Sequence, residues 1–233
     1  MKILLIAGHG AGDPGATVKF RGKTYKEAEE TRSILSDVTA ALSDYDVEIG
    51  WYNTDRNAYL DWKAGKLPAS VFEGCVIVVE VHLNAFKLEG AENGKTKGVE
   101  CYVPTSVSII GDAVAALLCE EIAKLGLTNR GVKKKNYSVI AAARAAGVPA
   151  VLLECFFLDD ADDMKVYTQN KSAVANAIAA ALVKSFNLKA LPKTSREIVQ
   201  QAAGLADSTM DYLAAYRWGK DLLDKLAAAI KNN

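Results

Sequence analysis

The sequence predicts an α/β fold, a central twisted and mostly parallel sheet with helices on both faces, followed by a small C-terminal helical unit. Three observations predict it. Short β-type runs alternate with helical patterns up to about residue 188, no β-type run appears after that, and half of the 233 residues are hydrophobic, enough for one sizeable core.

The elements follow in order. Residues 2–7 (KILLIA) form a short β-type run that stops where the chain turns glycine-rich, at AGHGAGDPGA. In residues 27–42, Ile34, Leu35, Val38, Ala41 and Leu42 recur at spacings of three and four among charges, the pattern of an amphipathic helix. Residues 46–52 (DVEIGWY) alternate like a strand, and residues 75–81 (CVIVVEV) are β-branched almost throughout, as in a strand buried on both faces. Residues 98–103 (GVECYV) make a further strand. A long apolar helix is expected over 107–125, with Gly126 as its C-cap. Residues 148–153 (VPAVLL) are a strand whose proline stands near its start, where a missing N–H is tolerated, and the alanine-rich residues 171–186 are helical.

After Leu188 the stretch LKALPKTS reads as a linker, which divides the chain into residues 1–188 and 193–233. Thr194 and Glu197 form a capping box, Gly204 closes the short helix they start, and Ser208 with Asp211 is expected to cap one longer helix to about Ile230. Two helices of this size bury little surface by themselves, so this segment is expected to dock on something or to self-associate.

Charge and cysteines exclude several functions. Lys and Arg number 28 against 28 Asp and Glu, so no overall field draws the chain to nucleic acid or to anionic lipid. No run approaches the roughly 20 apolar residues of a membrane span, and MKILLIAGHG is too short an apolar run for a signal peptide; a cytoplasmic start is expected. Cys75, Cys101, Cys119 and Cys155 show no CxxC spacing and are expected to be buried reduced thiols.

The string Gly10-x-Gly12-x-x-Gly15 follows a strand but leads into the β-branched, glycine-broken ATVKFRG instead of a helix, so it is not a dinucleotide loop. The positions of the chain's two histidines carry more information. His9 follows the strand LLIAG, His82 follows VIVVEV, and Glu154 follows AVLL. The carboxyl ends of parallel strands form the ligand crevice of an open α/β sheet, and two imidazoles with a carboxylate suit a zinc site. From the residues alone the third ligand is one of Glu27, Glu29, Glu30 or Asp13, with Glu154 either ligating or acting as base.

At this point the chain resembles the zinc-dependent N-acetylmuramoyl-L-alanine amidases of the type 3 group, especially those of bacteriophage endolysins. AGHGAGDPGA, YKEAEETRSI, VEVHLNA and VPAVLLECFFLDD, with NRGVKKKNYSVI upstream of the last, carry the resemblance across residues 1–188. It implies one zinc ion per chain on His9, Glu27 and His82, with Glu154 catalytic. It also implies a peptidoglycan hydrolase that cleaves the amide between N-acetylmuramic acid and L-alanine and acts on the wall after release from the producing cell. Glu80 departs from the pattern usual before the H-x-N-A motif; it lies on the same strand face as His82, as a second carboxylate behind it or as part of a structural charge pair. Asn84, by substrate contact or by holding its loop, and Arg130, in the basic stretch NRGVKKK that is otherwise a solvated loop, are the candidates for substrate binding. Residues 193–233 are expected to bind the wall, with Tyr212, Tyr216 and Trp218 as sugar-stacking faces, or to form a homo-oligomer. The expected partner is bacterial peptidoglycan, with no nucleic acid and no membrane. The rival readings are a wall-binding or scaffold protein with an inactive amidase-like domain and a different zinc peptidase or deacetylase.

Overall fold

The computed structural model describes residues 1–52, 55–86 and 96–232. The chain folds as two compact units, Met1–Lys189 and Ala190–Asn233. In the first, the elements in order are β1 (Lys2–Ala7), β2 (Thr17–Phe20), β3 (Lys23–Lys26), α1 (Glu27–Leu42), β4 (Glu48–Trp51), α2 (Ala58–Lys63), β5 (Cys75–Asn84), β6 (Val99–Val103), α3 (Ile109–Ala123), β7 (Asn129–Lys134), α4 (Ser138–Ala145), β8 (Ala150–Phe157), α5 (Ala161–Gln169) and α6 (Lys171–Phe186).

Six strands form one sheet in the order β4-β1-β5-β8-β6-β7. The first four are mutually parallel, β6 runs antiparallel to β8, and β7 is parallel to β6. The expected α/β architecture and mostly parallel sheet are therefore present. The period of two divides each central strand between two layers. Ile3, Leu5, Ile77, Val79, Val151 and Leu153 point to the layer of α1, α3, α5 and α6, whereas Leu4, Ile6, Val78, Ala150 and Leu152 point to a thinner layer containing Ala58 of α2 and Val139, Ile140 and Ala143 of α4. Each such fully buried aliphatic chain stabilises the fold by about 1.5–3 kcal/mol before conformational entropy is counted. The thinner layer leaves room beside it, and the even-numbered residues that continue its face, His82, Glu154 and Glu100, stand in register across β5, β8 and β6.

Several elements lay outside the sequence expectations. The segment after Gly15 forms the β2–β3 hairpin, turning through Arg21 and Gly22, both at positive φ. The basic stretch NRGVKKK, expected to contact substrate or to be a solvated loop, supplies β7, an edge strand whose register against β6 shifts opposite Glu100. That irregularity, with Gly131 at φ +76, explains why the run lacks clean alternation. All four cysteines are free and buried, as expected. Among the described residues no helix is long and apolar enough to cross a membrane.

The second unit contains α7 (Ser195–Ala203), α8 (Asp207–Ala215) and α9 (Gly219–Lys231) around a small core of Val199, Met210, Leu223 and Ala227. The Thr194–Glu197 capping box and the left-handed Gly204 are both present. The single helix expected to Ile230 is instead two. Tyr216 is extended (φ −64°, ψ 144°), and Gly219 packs so closely on the Leu213 carbonyl that a Cβ there would lie 2.2 Å from its oxygen. Nor do Ser208 and Asp211 cap it: Ala206 is the N-cap residue, and Asp211 pairs with Arg196.

Candidate metal and catalytic site

His9, Glu27 and His82 reach one point from three elements, each offering one ligand atom, and these atoms all lie within 4.8 Å of one another. Glu27 opens α1. Its helix has no side-chain N-cap, and its first amides donate to carbonyls of the loop after β1, Glu27 N–H to Ala16 and Ala28 N–H to Pro14. That fixes the Glu27 side chain against the loop that carries His9. The carboxylate is buried and doubly gripped. Oε1 accepts from the Leu83 amide at 3.0 Å and faces His82 Nδ1 at 2.9 Å; Oε2 accepts from the Ala16 amide at 3.0 Å and faces His9 Nε2 at 3.2 Å.

The glycines of AGHGAGDPGA explain the closeness. A Cβ on Gly8 would fall 2.5 Å from the His82 ring, and one on Gly15 would fall 2.6 Å from the His9 ring and 2.7 Å from Glu27 Oε2. His9 itself is left-handed at φ 58°, a conformation that costs a non-glycine residue on the order of 1–2 kcal/mol and is held here from outside. The holder is Arg32 of α1, whose guanidinium donates to the carbonyls of Gly8, His9, Ala28 and Arg56. Asp13 accepts from His9 at Nδ1 (2.8 Å), and Asn57, the N-cap of α2, donates to Asp13 in turn. Sequence reading missed Arg32 and gave no role to Asn57. The signal for Arg32 was its place one helical turn after Ala28, on the side of α1 that meets the loop.

The glutamates left open by the sequence separate here. Glu29 is exposed and pairs with Lys26, while Glu30 is buried against the Tyr167 hydroxyl and Lys171. Of the three, Glu27 alone stands between the histidines, and Asp13 stands behind His9.

The charges agree with this geometry. Burial works to raise the Glu27 carboxyl, but hydrogen bonds with His82 and His9 outweigh it and hold the group well below the usual carboxylate range. Burial opposes charge on both imidazoles, yet Glu27 raises His9, and Glu27 with Glu80 raises His82 well above its ordinary value. Two imidazole nitrogens, one carboxylate oxygen and an open side match a catalytic zinc site, with three protein ligands and a free position, so the residues fit that ion.

Glu154 lies opposite His82 in the sheet. It shares with Ala7, His9, Glu80, His82, Tyr137 and Ser138 the wall of a pocket of about 260 Å3. The residue is partly exposed, but among the described residues its Oε2 is buried without a hydrogen-bond partner. Burial pushes its carboxyl up to about 7, with Glu27, Glu100 and Glu80 adding to the rise and His82 opposing it. A carboxyl so poised exchanges protons readily near neutral pH.

On its other side Glu154 pairs in register with Glu100, which the sequence reading had not singled out. Asn84 and Arg130 both end there. Glu100 Oε1 accepts from Asn84 Nδ2 (2.9 Å) and the Tyr102 hydroxyl (2.7 Å), and Oε2 accepts from Arg130 Nε (2.5 Å) and Lys133 Nζ. Arg130 also lies over the Phe157 ring, 4.9 Å from its centroid.

Comparison with known proteins identifies the family. Residues 3–184 match the N-acetylmuramoyl-L-alanine amidases. The chain is 26% identical over 226 residues to the sporulation-specific N-acetylmuramoyl-L-alanine amidase of Bacillus subtilis (strain 168), covering 92% of this chain and 80% of that protein. It is 29% identical over 203 residues to the endolysin of Bacillus phage SPP1, covering 80% of this chain and 66% of the endolysin. Among solved structures it is similar to the catalytic domain of CwlV, an N-acetylmuramoyl-L-alanine amidase from Bacillus (Paenibacillus) polymyxa var. colistinus, with a TM-score of 0.64, 25% identity, and 81% and 99% of the two chains covered. With the family matched over most of its length, the chain belongs to the N-acetylmuramoyl-L-alanine amidases.

Proposed function

We propose that this chain is a zinc-dependent peptidoglycan hydrolase that cleaves the amide between the lactyl group of N-acetylmuramic acid and L-alanine. His9, Glu27 and His82 hold the metal and Glu154 serves as general base and acid. The observation that carries the reading is the meeting of both histidines of the chain on one buried carboxylate, with Glu154 in register beside them. Family membership supplies the substrate class.

Bound there, zinc supplies Lewis acidity, a positive charge against the scissile carbonyl oxygen and a more acidic water. The remaining work falls to the chain. Glu154, with an unpartnered oxygen and a carboxyl near 7, accepts the proton of the attacking water and returns it to the departing amide nitrogen, a poor leaving group until protonated. Asp13 keeps His9 turned toward Glu27. Arg32 keeps the left-handed loop in place. Glu100 holds the Asn84 amide and the cations of Arg130 and Lys133 as a polar rim that meets the carboxylates of the peptide stem.

Residues 193–233 act as a wall-binding or self-associating module, a role supported by the exposure of Tyr212, Tyr216 and Trp218. The likeness to both a sporulation amidase and a phage endolysin supports action on the cell wall.

The test is digestion of purified peptidoglycan. New L-alanine amino termini without new reducing sugars, loss of the reaction on chelation and its return with zinc are the expected results. Activity in the chelated protein refutes the zinc reading, and a different new end group refutes the amidase specificity.

A further inference from the structure

Glu80 stands two residues before His82 on β5, on the same face of the strand. It is 4% exposed, in the wall of the pocket, where an ionised carboxylate is costly unless it is paired. Its Oε1 lies 3.3 Å from His82 Nε2, and among the described residues its Oε2 is buried with no hydrogen-bond partner. The two rings of the cluster are used in opposite senses. His9 turns Nε2 to Glu27 and Nδ1 to Asp13, whereas His82 turns Nδ1 to Glu27 and Nε2 to Glu80. A neutral imidazole carries its hydrogen on one nitrogen and its lone pair on the other, so an acceptor fixed beside one nitrogen decides which faces a ligand.

We propose that Glu80 is the positioning residue of His82: it holds the hydrogen on Nε2, leaves the Nδ1 lone pair facing the Glu27 corner, and so sets the affinity of the site for zinc. The role rests on the zinc reading above and extends it to a residue from within the sheet, matching from β5 what Asp13 does for His9 from the loop. The two outer carboxylates differ in what else they hold. Asp13 also accepts from the Gly15 amide and from Asn57, while among the described residues the Glu80 side chain hydrogen-bonds to His82 alone. With no second donor sharing that carboxylate among the described residues, the Oε1 contact is free to fix the orientation and tautomer of the ring.

The experiment measures zinc affinity by competition with a chromogenic chelator, and the visible spectrum of the cobalt-loaded protein, for the full chain and its Glu80→Gln and Glu80→Leu variants. The isosteric amide keeps an acceptor but loses the charge; leucine keeps neither. The expected affinities fall in that order, about tenfold for glutamine and about a hundredfold for leucine, with a shifted cobalt spectrum in both. Equal zinc affinity and an unchanged cobalt spectrum across the series would overturn the proposal, since packing alone is preserved by glutamine. If the leucine variant fails to fold by circular dichroism, the glutamine variant decides by the same two readouts. A His9→Ala control separates the premises: parent affinity retained in that variant brings down the metal site itself, whereas affinity lost there but unchanged in Glu80→Gln brings down only the role of Glu80.

Discussion

Two buried glutamates on either side of Glu154 have the same number of partners and opposite uses. Glu27 meets two backbone amides and two imidazoles; Glu100 meets an amide, a phenol, a guanidinium and an ammonium. Exposure does not distinguish them, at 4% and 2%. The kind of partner does. Imidazole nitrogens become ligands once their protons leave, so the surroundings of Glu27 can exchange protons for a cation. The guanidinium and ammonium on Glu100 bring positive charge and no lone pair, so that carboxylate is closed to metal and is held as an anion instead, its carboxyl lowered by those partners against burial. Glu154 lies between a site that exchanges its charge and one that keeps it.

The largest expected effect comes from breaking the exchanging side. Glu27→Ala should leave the protein without stoichiometric zinc, measured by elemental analysis, and reduce wall hydrolysis to background. Glu100→Gln should keep full zinc occupancy. It leaves the part-exposed Arg130 and Lys133 around a neutral amide, destabilises the chain by about 1–2 kcal/mol through weakened charge-assisted hydrogen bonds, and lowers kcat/KM about a hundredfold through misplaced rim groups. Loss of zinc in the Glu100 variant would erase the contrast.

A smaller effect, on rate without metal, is expected at the residue between them. Glu154→Gln should lower kcat by about 10²- to 10⁴-fold with zinc content unchanged. It should also change how stability depends on pH. The Glu154 carboxyl is raised in the folded chain to about 7 from an ordinary 4.5, so folding favours its protonated form. That contribution is complete below 4.5 and is lost as pH rises through about 7. The zinc-free glutamine variant should therefore melt above the zinc-free parent at pH 8, and the gap should narrow toward pH 5. A parent that melts higher at pH 8 contradicts the buried-acid account of Glu154.

How far this contrast was legible in the sequence follows from its physics. His9, His82 and Glu154 end hydrophobic β-type runs, and β periodicity with the parallel-sheet rule places such ends together. The central strands were legible for the same reason, because burial on both faces writes an unbroken apolar run. From the residues alone Glu27 was legible only as one of a cluster, and the family resemblance singled it out, since three glutamates in one helical turn look alike until the path of the loop from Gly8 to Ala16 is known. Glu100 was hidden. It lies within GVECYV, whose pattern shows a strand but not that β6 reverses direction to face β8, and its partners come from β5 and from a bulged edge strand whose lysines read as a charged loop. Arg32 was hidden for a like reason, because its partners are backbone carbonyls, which carry no sequence signature. The break at Tyr216 was missed because the apolar stripe of the last two helices keeps its spacing through it.

The smallest expected effect tests whether the choice among those clustered glutamates is a matter of burial and reach, not of charge at the start of the helix. Glu29 has the same charge as Glu27, stands two residues later in the same turn of α1, and is equally placed to favour the helix dipole. Its side chain is 62% exposed and pairs only locally, with Lys26 at 2.7 Å. An exposed pair of this kind is worth about 0–1 kcal/mol, which for a chain of this size moves the melting temperature by at most about 4 °C. Glu29→Ala should therefore keep zinc affinity and kcat/KM within about twofold of the parent, an upper allowance for a weak long-range change in field. A tenfold loss of zinc affinity would mean that net charge at the mouth of α1, and not the reach of one carboxylate between two rings, sets the strength of the site.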